Sequence, residues 1–224
     1  GVLEAMLPFL GTHFGNPSSR HTRGIDSKAA IAKARGQVAE LLDCDSEEVY
    51  FTGGATECNN WVLKGFWDLA SPPHILASQI EHPSILETLI FLQRRGWASY
   101  NLVKVDREGV CHAESFREAR LKQTQLVTLM LANNETGAIQ PVAQLAEWAA
   151  SEGLWIHTDA AQACGKFKFS VRQLGVDSLT LAGHKLYAPK GVGALYLKRG
   201  RKLEPLLHGP SQESGQRAGT ESVA

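Results

Sequence analysis

The sequence carries no surplus of charge. Its 224 residues hold 23 Lys and Arg against 23 Asp and Glu, which argues against bulk attraction to nucleic acid or to an anionic membrane surface. Cysteine is sparse. Cys44, Cys58, Cys111 and Cys164 are scattered, without a C-x-x-C pair or the His/Cys spacing of a metal site. Cys111 stands beside His112, but adjacent residues rarely converge on one ion, and no metal is expected. Reduced structural thiols in a cytoplasmic setting are the expectation. Long apolar runs are missing too: "LVTLMLA" (126–132) has the length of a buried strand, and "ILETLIFL" (85–92) is cut by Glu87, so no membrane span is expected. The first residues lack the basic region of a signal peptide. The chain opens on Gly1 and stops at "GTESVA", and both ends read as truncations. Two phosphate signatures are absent as well: no G-x-x-x-x-G-K-[ST] occurs, and "GVGALY" (191–196) fails G-x-G-x-x-G.

What is present is alternation. Short apolar runs at 48–52, 74–78, 101–105, 126–132, 155–159, 178–182 and 193–197 are separated by helical patterns. Several runs are continuously apolar, which suits a sheet covered on both faces. Residues 26–42 place Ile31, Ala34, Val38 and Leu41 on one stripe. "SILETLIFLQRRG" opens on a Ser84–Glu87 capping box and ends in Arg94 and Arg95 before Gly96. "PVAQLAEWAASEG" has Pro141 at its first helical position and Gly153 past its end. The fold class expected is α/β, with a mostly parallel seven-stranded sheet flanked by helices. Segments 1–25 and 206–224 are loop-rich by composition, which leaves 26–205 as the main domain.

In such sheets ligands sit outside the carboxyl ends of the strands. After 48–52 comes "GGATE", where Ala55 and Thr56 open a helix whose free N–H groups suit a phosphate; a plain βα turn capped by Thr is the simpler alternative. Asp159 ends the 155–159 run and can either hold a protonated pyridine nitrogen or cap the following turn. Gln162 can donate to a phenolate-like oxygen or be solvated. His82 in "EHPS" can stack on a flat ring or serve the loop, and Asn134 in "NNETG" can orient a ligand or form a turn. Lys185 follows "LAGH". A lysine becomes a nucleophile where desolvation and a nearby cation favour its neutral amine. His184 would face the opposite way on an extended segment, toward a phosphate. Each residue alone is ordinary. Together they supply a phosphate cup, a pyridine partner, a ring stack, an oxygen donor and an amine, the needs of pyridoxal 5′-phosphate.

On these residues the sequence resembles the cysteine desulfurase family, fold-type I pyridoxal-phosphate enzymes of the class V aminotransferase group. The motifs "HFGNPSSRH", "VYFTGGATECNN", "EHPSILET", "LANNETGAIQP", "HTDAAQACGK", "AGHKLYAPKGVGALY" and "SQESGQRAGTES" occur in family order across the whole chain. The resemblance implies that 26–205 is the large, cofactor-binding domain and that 206–224 begins the connection toward a small domain absent here. It implies Lys185 as the Schiff-base lysine and proton shuttle, with His82 stacked on the ring and sharing in catalysis. Asp159 would pair with the pyridine nitrogen, Gln162 with the phenolic oxygen, and Asn134 would orient substrate. Ala55, Thr56 and His184 would hold the phosphate, and Thr220 would reach the phosphate of a partner subunit in a homodimer. The implied reaction removes sulfur from L-cysteine, leaving L-alanine and an enzyme persulfide. The sulfur then passes to an acceptor protein such as an iron–sulfur scaffold. A selenocysteine lyase is the alternative of the same fold, and a cofactor-binding fragment, inactive alone, is the alternative for this chain. Two departures stand out. Ala182 replaces the family's serine, and neither the persulfide-forming cysteine nor the carboxylate-binding arginine of the family matches a residue of this chain.

Overall fold

The computed structural model describes residues 1–66 and 72–224. Seven strands form one sheet: β1 (Val49–Thr52), β2 (His74–Ser78), β3 (Ser99–Val103), β4 (Thr124–Thr128), β5 (Trp155–Asp159), β6 (Ser178–Ala182) and β7 (Gly193–Leu197). Their order is β1-β7-β6-β5-β4-β2-β3. Only β7 runs against its neighbours; the pairs β3·β2, β2·β4, β4·β5 and β5·β6 are parallel. The mostly parallel seven-stranded sheet expected from the sequence is therefore present.

The helices are α1 (Val2–Gly11), α2 (Thr22–Leu42), α3 (Ala55–Gly65), α4 (Pro83–Arg94), α5 (Ala113–Ala119), α6 (Val142–Ser151) and α7 (Val171–Leu174). Alternate strand residues feed two separate cores. Ile75, Ala77, Leu126, Trp155, Leu195 and Leu197 pack with Trp61 of α3 and Ile85 and Leu89 of α4. Their neighbours Leu76, Val127, Ile156, Leu179, Leu181 and Tyr196 pack on the other face with Val142, Leu145 and Ala149 of α6. The two-residue period of a strand thus explains why these runs are apolar throughout: both faces are covered.

Several local expectations are corrected. The first 25 residues are not mostly loop, because α1 and the start of α2 lie within them. The run at 126–132 pairs as a strand only over Thr124–Thr128. Beyond it Met130 donates its N–H to the Glu81 side chain rather than to a strand. The run at 101–105 is shifted to Ser99–Val103. The α4 cap is His82, whose Nδ1 accepts from Ser84 N at 3.1 Å, so the Ser84–Glu87 box does not form. Pro141 caps α6 rather than opening it. On α2 the buried stripe runs through Ile31, Ala39 and Leu42, and Leu41 is exposed; Asp43 then ends the helix in the left-handed conformation.

The topology gathers loops at one edge. The chain runs outward from β2 to β3, returns to β4, and then runs the other way through β5 and β6. Since β1 is also parallel to β6, the carboxyl ends of β1, β2, β4, β5 and β6 meet there with the amino end of β7.

Candidate active site

A cleft of about 750 Å³ opens at this edge. Its wall takes Ala55 and Thr56 from the start of α3, His82 after β2, and Met130 and Asn134 after β4. Asp159 and Gln162 follow from β5, and Ala182, His184 and Lys185 from β6. Eight of the nine residues singled out from the sequence thus lie around one space. Thr220 does not. It lines a neighbouring cavity of about 280 Å³ with Gly53, Gly191 and Arg217.

The turn before α3 is built for close approach. Gly54 has a φ of 148°, which other residues rarely adopt, and Gly193 of β7 lies so near that a Cβ there would stand 2.7 Å from the Gly54 backbone. Gly53 donates its N–H to Glu57 Oε2 at 2.8 Å, and Arg217 binds both oxygens of that carboxylate, at 2.8 and 3.2 Å. The guanidinium offsets a negative charge that would otherwise oppose an anion at the helix end. The N–H groups of Ala55 and Thr56 have no partner among the described residues, as expected for the first turn of a helix.

Asp159 is the anchored charge of the cleft floor, only 5% exposed. Its Oδ1 accepts from Ala161 N at 2.9 Å and its Oδ2 from Asn59 Nδ2 at 2.8 Å. It therefore both caps the following turn and faces the cleft. Burial pushes its carboxyl upward, against the lowering effect of those two donors and of His82. Beneath it His157 Nε2 meets Asn59 Oδ1 at 3.1 Å, and His157 Nδ1 meets Ser178 Oγ at 2.9 Å. Trp155, His157 and Asp159 alternate along β5, so the strand's own period aligns them on one face. Burial drives His157 down to about 3, which keeps its ring neutral.

His82 sits at the rim, its Nδ1 2.8 Å from Ser84 Oγ. Next to it Glu81 is buried, its Oε1 accepting from Ser78 Oγ and Met130 N, both at 2.8 Å. Burial raises this carboxyl to about 8. The pair of bonds ties the loop that carries His82 to the loop after β4. In that second loop the turn is made by Asn133, whose Oδ1 accepts from Glu135 N and Thr136 N at 3.0 Å. Asn134 is left to line the cleft.

The other rim is open. Lys185 and His184 are exposed. They lie in a single 3₁₀ turn, Gly183–Lys185, and not in the extended segment expected from the sequence. Lys190 lines the same rim. Gln162 accepts from Lys166 Nζ. Cys58, Cys111 and Cys164 are buried and Cys44 half-buried. Burial pushes all four thiols up to about 12, and none lines the cleft. Among the described residues no group of three or more His, Cys, Asp or Glu is placed to hold a metal.

Asn59, His157 and Ser178 carry no expectation from the sequence, and Ser84 only that of a helix cap. The Trp155-x-His157-x-Asp159 alternation was the available signal for His157. Asn59, in contrast, follows a helix period that gives no warning of a partner 100 residues away.

Fold and cleft together define an α/β domain whose polar groups converge from separate strand ends on a buried carboxylate and an exposed lysine. Comparison narrows this: the aminotransferase class-V family model matches residues 1–222, and the chain belongs to that family. It is 44% identical to "Cysteine desulfurase IscS" of Dictyoglomus turgidum over all of this chain and 57% of that protein. It is 43% identical to the protein of the same name from Methanosarcina thermophila, over 99% of this chain and 55% of that one. The chain thus spans little more than half the length of these relatives. Among solved structures, "SspA in complex with cysteine" superposes with a TM-score of 0.96 at 38% identity, covering 100% of this chain and 65% of that one. A "NIFS-LIKE PROTEIN" gives 0.92 at 37%, covering 99% and 62%.

Proposed function

We propose that this chain is the pyridoxal-phosphate-binding part of a cysteine desulfurase, which removes sulfur from L-cysteine and leaves L-alanine. The observation that carries the reading is the convergence of Asp159, His82 and Lys185 from three strand ends on one cleft. The donor set fits the group. A buried carboxylate with two fixed donors lacks only a cationic partner, the role of a pyridinium. The open N–H groups at the start of α3 and the Thr56 hydroxyl suit its phosphate. When bound, pyridoxal phosphate supplies an electron sink for the substrate's α-carbon.

The residues take these roles in the proposal. Lys185 holds the cofactor covalently and moves the proton at the α-carbon. Asp159 keeps the pyridine nitrogen charged. His82 covers the ring, Gln162 donates to its oxygen, and Asn134 orients substrate. Ala55, Thr56 and His184 grip the phosphate. The 26–205 segment is the cofactor-binding unit, and 206–224 the start of a connection. Thr220 serves a partner subunit in a homodimer, a reading supported by its place outside its own chain's cleft. None of the four cysteines here is proposed as the sulfur acceptor, since none lines the cleft and three of them are buried. An iron–sulfur scaffold as the eventual acceptor is part of the proposal, on the family resemblance of the sequence motifs. Unpaired thiols favour a cytoplasmic setting, and no helix among the described residues is long and apolar enough to cross a membrane.

The test is turnover by the intact protein that carries this chain, loaded with pyridoxal phosphate. Alanine should form from L-cysteine in step with sulfide when a thiol reductant is present. Turnover confined to selenocysteine would assign the site to a selenocysteine lyase, and alanine from neither would sink the reading.

A further inference from the structure

We infer that Asn59 is a positioning residue that couples Asp159 to His82 through the Ser84 hydroxyl and fixes which ring nitrogen of His157 carries the proton. The bonds on either side of it leave little choice. Asn59 Nδ2 is 2.8 Å from Asp159 Oδ2 and 2.8 Å from Ser84 Oγ, and Asn59 Oδ1 is 3.1 Å from His157 Nε2. All three residues around the amide are buried, so each polar atom needs its partner. An ionised Asp159 accepts only, which forces the amide to turn its NH₂ toward it. One hydrogen goes to Asp159 and the other to Ser84 Oγ. The Ser84 hydroxyl, having accepted, spends its own proton on His82 Nδ1 at 2.8 Å. The backbone N–H of Ser84 points at the same nitrogen, at 3.1 Å. His82 Nδ1 is therefore an acceptor twice over, and Nε2–H is the ring's remaining donor on a side chain that lines the cleft.

The other arm of the amide is determined in the same way. Asn59 Oδ1 requires a donor, so His157 carries its proton on Nε2. His157 Nδ1 then accepts from Ser178 Oγ at 2.9 Å, and Ser178 Oγ accepts from Trp155 Nε1–H at 3.0 Å. Every donor from Trp155 to His82 has one acceptor, and the chain of bonds closes without a surplus proton. Rotating the amide by half a turn would set Asn59 Oδ1 against Asp159 Oδ2. That arrangement needs a protonated Asp159, and it would reverse the tautomer of His157. The His157 ring thus reports on the charge of Asp159 through a single amide. A floor so fully paired holds Asp159 and His82 in one relative geometry before any ligand arrives, a form of preorganisation.

The positioning role rests on the cleft being a pyridoxal-phosphate site, whereas the proton assignment does not. The experiment separates the two. Histidine-detected ¹⁵N NMR of the chain without cofactor should find both His82 and His157 in a single neutral tautomer, protonated at Nε2. Asn59→Ala should release His157 into mixed tautomers, leave His82 protonated at Nε2 under the Ser84 backbone N–H, and raise the pyridoxal-phosphate Kd tenfold or more. Ser84→Ala removes the hydroxyl but keeps the backbone N–H, so it should shift the His82 Nδ1 signal without moving the ring proton and leave His157 unchanged. A wild-type ring protonated at Nδ1 overturns the inference whether or not any variant folds. So does a folded Asn59→Ala protein with the His157 signals and the cofactor affinity unchanged. Wild-type rings held at Nε2 in a chain that binds no pyridoxal phosphate would overturn the reading of the cleft and uphold the proton assignment.

Discussion

The floor and the rim of the cleft are built in opposite ways. The floor, Asp159 with Asn59, His157, Ser84 and Ser178, is buried and hydrogen-bonded at nearly every polar atom. The rim, His184, Lys185 and Lys190, is exposed and carried on a short turn and the loop that follows it. The floor stands on strand ends and helices packed into a core, which fix directions to within a side-chain rotamer. The rim has no such support and gains reach instead. A group that must hold one orientation belongs on the first, and a group that must form and break a bond belongs on the second. The two regions should therefore respond to substitution through different observables.

Lys185→Ala is expected to give the largest effect. The visible absorbance of the lysine-linked cofactor should vanish, and alanine production from cysteine should fall below detection. Thermal stability without cofactor should change by no more than about 0.5 kcal/mol, as for other exposed side chains. A marked loss of stability would break the contrast with the floor.

Asp159→Asn comes next. Removing the charge while keeping the shape costs a hydrogen bond to a charged group, about 1.5–3 kcal/mol, or roughly ten- to hundredfold in pyridoxal-phosphate Kd. Because an amide must set a donor against Asn59 Nδ2 or Ala161 N, calorimetry should also detect a lower Tm. Unchanged Tm and Kd would mean that the floor is no more constrained than the rim.

Ala182→Ser tests the border between the two. Ala182 is buried at the end of β6 and lines the cleft. An added hydroxyl has no partner until an anion is present, so Tm without cofactor should drop slightly while pyridoxal-phosphate affinity rises by up to about tenfold. A fall in affinity would show that the phosphate lies elsewhere.

Glu81→Gln should have the smallest effect on cofactor binding and show itself only in the pH dependence of stability. The folded carboxyl gives up its proton near pH 8 and the unfolded one near its ordinary value of 4.5. Between those values the folded protein holds more protons, so the contribution of Glu81 to stability declines as pH rises across that window. Gln keeps the acceptor for Ser78 Oγ and Met130 N and cannot ionise, so this decline should disappear from a series of Tm measurements. An unchanged slope would remove Glu81 from the account.

Much of this architecture was legible in the sequence, for identifiable reasons. The strand runs were visible because burial of both faces makes them continuously apolar, and the cleft residues because parallel strands deliver their following loops to one edge. Boundaries were less visible. The apolar run of 126–132 hides the point where Glu81 takes over the Met130 N–H from a neighbouring strand. His82 displaced Ser84 as the α4 cap because an imidazole can accept the same N–H. Asn59 could not be found at all by local pattern: its partners Ser84, His157 and Asp159 are 25, 98 and 100 residues away. Side chains in a buried network declare themselves only when the sheet has brought them together.

The central claim is that Lys185 is the covalent anchor of pyridoxal phosphate in this cleft. Incubation of the chain with pyridoxal phosphate, borohydride reduction and peptide mapping by mass spectrometry addresses it directly. The account predicts one modified lysine, Lys185, with the modification abolished in Lys185→Ala. Stoichiometric modification of Lys190 or of another lysine in its place, or no modification above that of an unfolded control, would contradict it.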